Sequence, residues 1–285
     1  MTALLDITDL HLGFDGAGGI APALRGVSLT VQRGECVALV GQSGSGKSVT
    51  GMAILRLLGA NARLLQGSIR FDGTDLLALS EHQMRAIRGK RIAMVFQNAK
   101  AALNPIRRVG DTLADILLAH DREGLSHRQA VARIVAIMDS IGIALPQDRA
   151  RAYPSELSGG MCQRIGIAAA LACAPELIIA DEPTSALDVT TQKLVMDTLI
   201  RACRDRRVAV IFITHDLALA SQYCDRALVM NAGRIVEEGP ATRIFTAPQH
   251  PYTRALLDAL PYGKTDATDL RPMDWQDPDA GGART

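Results

Sequence analysis

CVALVGQSGSGKS, running from Cys36 to Ser48, decides the fold. Its first five residues are apolar and do not alternate with polar ones. That is the mark of a strand buried on both faces, as in a parallel sheet covered by helices. The strand runs straight into Gly41-Gln42-Ser43-Gly44-Ser45-Gly46-Lys47-Ser48, a GxxxxGK[ST] loop, and a helical pattern opens at Val49 with VTGMAILRLL. The glycines let successive backbone N–H groups point into one concave nest around phosphate oxygens. The helix behind the loop adds partial positive charge at its N-terminus. Lys47 has the reach for β- and γ-phosphates, and the Ser48 hydroxyl is placed to ligate Mg²⁺.

Outward from this loop, four more apolar runs read as strands: RIAMVF from Arg91, LIIAD from Leu177, VAVIFIT from Val208 and ALVM from Ala227. A helical stretch over about 190–204 separates two of them, a βαβ rhythm. Ligands bind at the C-terminal edge of such sheets. Asp181 and Glu182 stand there, the first suited to hold Mg²⁺ through water and the second to polarise an attacking water as general base. His215 ends another strand with reach to a γ-phosphate. Taken singly, a strand-end acidic pair is a solvated surface and a strand-end histidine is structural. The neighbouring phosphate loop favours the chemical reading. Between 98 and 153 the strand-like runs stop, and VGDTLADILLAH and SHRQAVARIVAIMDSIG read as helices. This predicts an α/β core interrupted by a helical insertion. A C-terminal appendage follows Gly239, with a polar tail expected to be loose over the last ~20 residues.

Composition narrows the function classes. At 285 residues the chain is long enough for about two domains. A net charge of +1 gives no broad attraction to nucleic acid, and 4% aromatic residues are too few for a base-stacking surface. No stretch reaches the ~18 apolar residues of a membrane span. The N-terminus lacks the basic-then-apolar order of a signal peptide, so a cytosolic chain is expected. Cys36, Cys162, Cys173, Cys203 and Cys224 form no CxxC pair, which predicts reduced thiols.

Leu157-Ser158-Gly159-Gly160-Met161-Cys162-Gln163-Arg164 resembles the LSGGQ signature of ATP-binding cassette (ABC) ATPases. Its place between the phosphate loop and Asp181 matches that family. MVFQ ending at Gln97 resembles the Q-loop, Ser185-Ala186-Leu187-Asp188 the D-loop, and Thr214-His215-Asp216 the switch histidine. Phe14 resembles the aromatic residue that stacks on adenine, with a core strand residue as the competing reading. The resemblance covers about residues 4 to 260. It implies a P-loop NTPase (ABC ATPase) core with a mainly parallel sheet, an antiparallel β subdomain, a helical subdomain insertion and a short C-terminal extension. The implied boundaries are 1–97 with 165–239 for the core and its β subdomain, 98–164 for the helical subdomain, and 240–285 for the extension. It further implies ATP hydrolysis through Glu182, His215, Gln97 and Lys47, with Gln97 joining Ser48 and Asp181 around Mg²⁺. Ser158, Gly159 and Gly160 would face the γ-phosphate held by an opposite subunit, and Asp188 would join the nucleotide site. Two cassettes then sandwich two ATP molecules.

Two further strings, Pro248-Gln249-His250-Pro251-Tyr252-Thr253-Arg254-Ala255-Leu256-Leu257 and Ala102-Leu103-Asn104-Pro105, look like the ATPase subunits of bacterial oligopeptide, dipeptide and nickel importers. This implies two permease subunits, a second cassette, a periplasmic or lipid-anchored substrate-binding protein, and a peripheral place on the cytoplasmic face of the inner membrane. The usual pairing in that subfamily is a heterodimer, while identical subunits stay open. Peptides are the first cargo implied and nickel chelates the second. HPYT also reads simply as a turn and helix start with Pro251 early in the helix, so His250 is not expected to be catalytic. Asn98-Ala99 departs from the more usual Asp-Pro after the Q-loop, and Cys162 from a basic or polar residue. No cysteine follows Cys224, so the iron–sulfur cluster of some relatives is not expected. Two other classes compete. One is a soluble cassette in a non-transport assembly such as phosphonate degradation, which would not co-sediment with membranes. The other is a nucleotide sensor without hydrolysis, against which Glu182 stands.

Overall fold

The structure, a computed structural model, describes residues 3–121, 124–185 and 187–259. Its strands in chain order are β1 (Leu5–Gly16), β2 (Gly19–Val31), β3 (Cys36–Val40), β4 (Ala62–Phe71), β5 (Thr74–Asp75), β6 (Ile92–Val95), β7 (Leu177–Asp181), β8 (Ala209–Thr214), β9 (Arg226–Asn231) and β10 (Arg234–Pro240). They form two sheets. One is antiparallel with order β2-β1-β4-β5. The other has order β10-β9-β3-β8-β7-β6, in which β9, β3, β8, β7 and β6 are parallel and β10 closes one edge antiparallel. The helices are α1 (Lys47–Ile54), α2 (Glu81–Ile87), α3 (Ala99–Ala102), α4 (Val109–His120), α5 (His127–Ser140), α6 (Pro146–Arg151), α7 (Gly159–Leu171), α8 (Val189–Arg206), α9 (Leu217–Tyr223), α10 (Ala241–Thr246) and α11 (Pro251–Asp258). Among the described residues no helix is long and apolar enough to cross a membrane.

The unbroken apolar runs have the cause expected of them. Successive side chains of a strand point to opposite faces, and both faces of the parallel sheet are covered. Ala38, Val40, Ile178, Ala180, Val210 and Phe212 enter one core, with Ile165 of α7, Leu199 of α8 and Leu217 of α9. Val37, Leu39, Leu177, Ile179, Ile211 and Ile213 enter the other, with Leu5, Leu29 and Ile69 of the antiparallel sheet and Ile54 of α1. Burying each Val, Leu, Ile or Phe side chain among them contributes roughly 1.5–3 kcal/mol. Helices α4, α5 and α6 pack on one another, and α4 and α5 also pack on α7. Val109, Leu113, Ile134 and Met138 carry the first core onward into this bundle.

Helix α4 spans the expected string VGDTLADILLAH, and α8 fills the βαβ connection. Strand β6 is shorter than RIAMVF. It stops at Val95, and Phe96 turns out of the sheet, 43% exposed, as the chain leaves for Gln97. The antiparallel sheet is not legible as alternation. The pairing of β1 with β2 shifts between Ile7 and Leu10, between Leu10 and His11, and between Leu12 and Gly13. Each shift breaks the period of two on which a strand reading depends. The appendage after Gly239 is anchored, since Ile244 of α10 and Tyr252 of α11 are fully buried in the first core. The tail expected to be loose lies outside the described residues.

Candidate functional site

The register of the parallel sheet brings the ends of its strands to one edge. Val40 pairs with Thr214, Asp181 with Ile213, and Val95 with Ala180. The residues that follow these positions therefore emerge side by side. Beyond Val40 the chain turns through the phosphate loop. Gly41 has φ +151°, and a Cβ there would lie 2.1 Å from the Met230 carbonyl oxygen, so no side chain fits. Lys47 opens α1 and is 5% exposed. Its Nζ folds back to donate to the carbonyls of Gly41 at 2.9 Å and Gln42 at 2.8 Å. Burial lowers its pKa, while the nearby Glu182 and Asp181 carboxylates oppose that shift.

Ser48 follows in α1 and donates its hydroxyl to Asp181 Oδ1 at 2.8 Å. Burial pushes the Asp181 carboxyl up and the Ser48 hydroxyl pulls it down; Glu182 then raises it and Lys47 lowers it, with a net rise. A half-buried carboxylate beside a hydroxyl is the oxygen donor set that suits Mg²⁺. That ion binds through one or two protein oxygens and takes the rest of its shell from phosphate and water. Among the described residues no group of three His, Cys, Asp or Glu side chains is gathered to hold a metal unaided. Ser48 and Asp181 fit a Mg²⁺ delivered with a nucleotide.

Glu182 stands one residue past β7 in a left-handed backbone, φ +45°. The conformation is pinned, because its N–H donates to the Ile213 carbonyl at 2.9 Å and its carbonyl accepts the Ser185 N–H at 3.1 Å. Strain held this way is a mark of functional positions. The carboxylate is caught between residues from the two neighbouring strands. Gln97 Nε2 donates to Oε2 at 2.8 Å, and His215 Nδ1 lies 3.2 Å from Oε1. Glu182 is 19% exposed at its side chain and His215 64%, so the acid is sheltered and the imidazole open to solvent. Gln97 thus bonds Glu182, and no bond joins it to the Ser48–Asp181 pair in this structure.

These groups border a cleft of about 370 Å³ lined by Ser43, Gly44, Gly46, Lys47, Ser48, Val49, Gln97 and Glu182. Its other wall is Pro22, Ala23 and Arg25 of β2 with Ala232 and Gly233 of the β9–β10 turn. Sequence reasoning missed this wall, and no local signal marks it. It exists because the Arg25 N–H donates to the Gly233 carbonyl and the Gly233 N–H to the Ser45 carbonyl, at 2.8 and 3.0 Å. Gly41, Gln42 and Ser45 form the loop beneath. Phe14 is not in the lining; it is partly buried, packed on the second core.

Ser158, Gly159, Gly160 and Asp188 are also absent from the lining. Ser158 caps α7 by accepting the Met161 N–H at 3.3 Å. Asp188 caps α8, accepting the Thr191 hydroxyl at 2.7 Å and its N–H at 3.0 Å, and these bonds hold its carboxyl below the usual range. The two helix starts touch. A Cβ on Gly160 would meet Thr191 Cγ2 at 2.4 Å. Sequence reasoning also missed Gln163, whose buried amide donates to the Phe96 carbonyl at 3.1 Å and ties the signature helix to the backbone before Gln97.

Residues 24–185 match the family model described as ABC transporter, and residues 236–282 match the oligopeptide/dipeptide transporter C-terminal region. A probable peptide ABC transporter ATP-binding protein of Sinorhizobium fredii is 48% identical over 260 residues, 90% of this chain and 77% of the relative. The dipeptide transport ATP-binding protein DppD of Bacillus subtilis is 44% identical over 280 residues, 98% of this chain and 83% of the relative. Among solved structures, a dimeric post-hydrolysis state of the ATP-binding cassette MJ0796, bound to ADP and Pi, superposes with a TM-score of 0.74 at 28% identity. That match covers 83% of this chain and 98% of the other. The chain belongs to the ABC transporter family as an ATP-binding subunit, an ABC ATPase carrying the oligopeptide/dipeptide transporter C-terminal region.

Proposed function

We propose that this ATPase powers a membrane importer of short peptides. The observation that carries the cargo is the match of residues 236–282 to the oligopeptide/dipeptide transporter C-terminal region, supported by relatives named for dipeptide and oligopeptide transport. In the reaction, the loop from Gly41 to Val49 cradles the phosphates, and Lys47 leaves its two carbonyls for the β- and γ-phosphate oxygens. Ser48 and Asp181 would hold Mg²⁺, which when bound would supply neutralisation of phosphate charge. Glu182 takes the proton of the attacking water, oriented by Gln97 on one oxygen and His215 on the other. Ser158, Gly159, Gly160 and Asp188 serve the nucleotide of a second cassette, which is why they stand outside this chain's own cleft. Phe14 stacks on adenine once the base arrives. We take these working parts as 1–97 with 165–239, 98–164 and 240–285, with α7 (Gly159–Leu171) continuous across the 164/165 boundary.

A groove of about 520 Å³ opens between the sheet edge and the helical insertion, lined by Met94, Phe96, Leu103, Leu113 and Ile116 among others. Ile106, three residues past the lining residue Leu103, is 84% exposed. An apolar groove that includes Phe96, the residue before Gln97, suits a permease segment. The subunit then sits peripherally on the cytoplasmic face of the membrane. Native purification under mild detergent tests the reading. Two permease subunits and a second cassette should co-purify, and a co-purified binding protein should release short peptides on denaturation. A nickel chelate released in their place would reassign the cargo, and a soluble homodimer alone would overturn the importer reading.

A further inference from the structure

Tyr252 lies far from Gly41 in sequence, yet its hydroxyl oxygen accepts the Gln42 N–H at 3.2 Å. The tyrosine is fully buried in the first core. Its approach is fixed from two sides. Glu237 of β10 accepts the Gln249 N–H at 2.8 Å and the His250 N–H at 3.1 Å, which pins the turn before α11. His250 Nδ1 then accepts the Tyr252 N–H at 3.1 Å and caps the helix, with Pro251 at its first position. Burial pushes the phenol's pKa up, against the pull of the Gln42 N–H, so the hydroxyl stays neutral at physiological pH.

The bond it makes is to a particular peptide plane. The Gln42 N–H and the Gly41 carbonyl belong to one peptide unit, and in a trans peptide they point in opposite directions. Lys47 Nζ donates to that carbonyl at 2.9 Å. The phenol therefore holds one side of the plane whose other side holds the lysine. We infer that Tyr252 is a positioning residue for ATP binding: it sets the orientation of the Gly41–Gln42 peptide and so presets the first turn of the phosphate loop. The HPYT segment, with Glu237 behind it, thereby becomes a brace for the nucleotide site. This rests on the loop being the phosphate site of ATP.

The test is calorimetric titration of MgATP into the purified full chain, with thermal melts of the nucleotide-free protein beside it. Tyr252→Phe keeps the ring and removes only the oxygen. ATP affinity is expected to fall about fivefold, the factor that one hydrogen bond of ordinary strength represents. Glu237→Gln, which touches neither loop nor nucleotide, should weaken binding in the same direction, and it decides the matter if the first variant folds poorly. Lys47→Ala serves as the reference. If it weakens ATP binding while Tyr252→Phe leaves affinity unchanged, whether or not the melting temperature falls, the tyrosine is structural and the inference is overturned. If Lys47→Ala itself binds ATP normally, the phosphate-loop reading fails and the inference with it.

Discussion

Glu182 combines three properties: a left-handed backbone, a sheltered carboxylate, and one partner beyond the end of each neighbouring strand. In the proposed role of general base it would contribute about 10²–10⁴-fold to the rate. Glu182→Gln should lower ATP turnover of the assembled complex by about that factor while leaving ATP binding intact, as steady-state assay beside equilibrium binding will show. Normal turnover in that variant would remove Glu182 from the role. Asp181 makes the opposite trade. Burial raises its carboxyl, and the Glu182 charge adds to that against the Ser48 hydroxyl and Lys47. An acid whose pKa is raised by folding costs stability at neutral pH, and the cost disappears as pH falls below the ordinary carboxylate value. Asp181→Asn should therefore raise the melting temperature of the nucleotide-free chain, by roughly 2–4 °C for each kcal/mol relieved. It should at the same time lose Mg²⁺-dependent turnover. A lower melting temperature would show that the carboxylate is a net stabiliser.

At the scale of elements, the site is made of starts and ends. Helix α1 begins at Lys47, and strands β6, β7 and β8 end beside Gln97, Glu182 and His215; the starts of α7 and α8 at Gly159 and Val189 lie outside the cleft. Such junctions were legible because apolar runs end abruptly at polar or glycine residues, as at Val40–Gly41 and Ala180–Asp181. What faces a junction was not legible. The β2 wall of the cleft and the Gln163 bond to Phe96 both depend on which segment folds beside which. Ser158 illustrates the difference. As the cap of α7 its loss should cost about 1 kcal/mol. Because it lies outside this chain's cleft, Ser158→Ala should leave ATP affinity of the isolated chain unchanged and slow turnover of the assembled complex. Calorimetry on the one and phosphate release from the other separate these effects. Weakened binding by the isolated chain would place Ser158 in its own site.

Across the whole molecule, four charges fasten the two sheets together. Arg33, in the β2–β3 turn, reaches Asp72 at 2.6 Å and Glu176 at 2.5 Å, and Arg91 reaches the same two acids at 2.8 and 2.6 Å. Burial pushes the Glu176 carboxyl up, but the Arg91 and Arg33 guanidiniums outweigh it and leave it below the usual value. Its contribution is thus complete above the ordinary glutamate pKa and is lost as pH falls through the lowered one. Glu176 keeps 31% of its side chain exposed, so solvent discounts the effect. Glu176→Gln should cost about 1 kcal/mol or less in urea unfolding, with the difference shrinking at high salt and vanishing at low pH. A difference that persists at low pH would point to packing in place of charge.

By itself the sequence determined the strands buried on both faces, the phosphate loop, the acids at a strand end and the helical insertion. Each is written locally, as a run, a spacing or a cap, and local patterns survive without knowledge of the rest of the chain. Only the tertiary structure decided that Gln97 and His215 grip the same carboxylate, that β2 walls the cleft, that the bulged β1 belongs to a sheet, and that Tyr252 braces Gln42. These join residues tens to hundreds of positions apart, through sheet register and side-chain packing, and no short pattern encodes such a meeting.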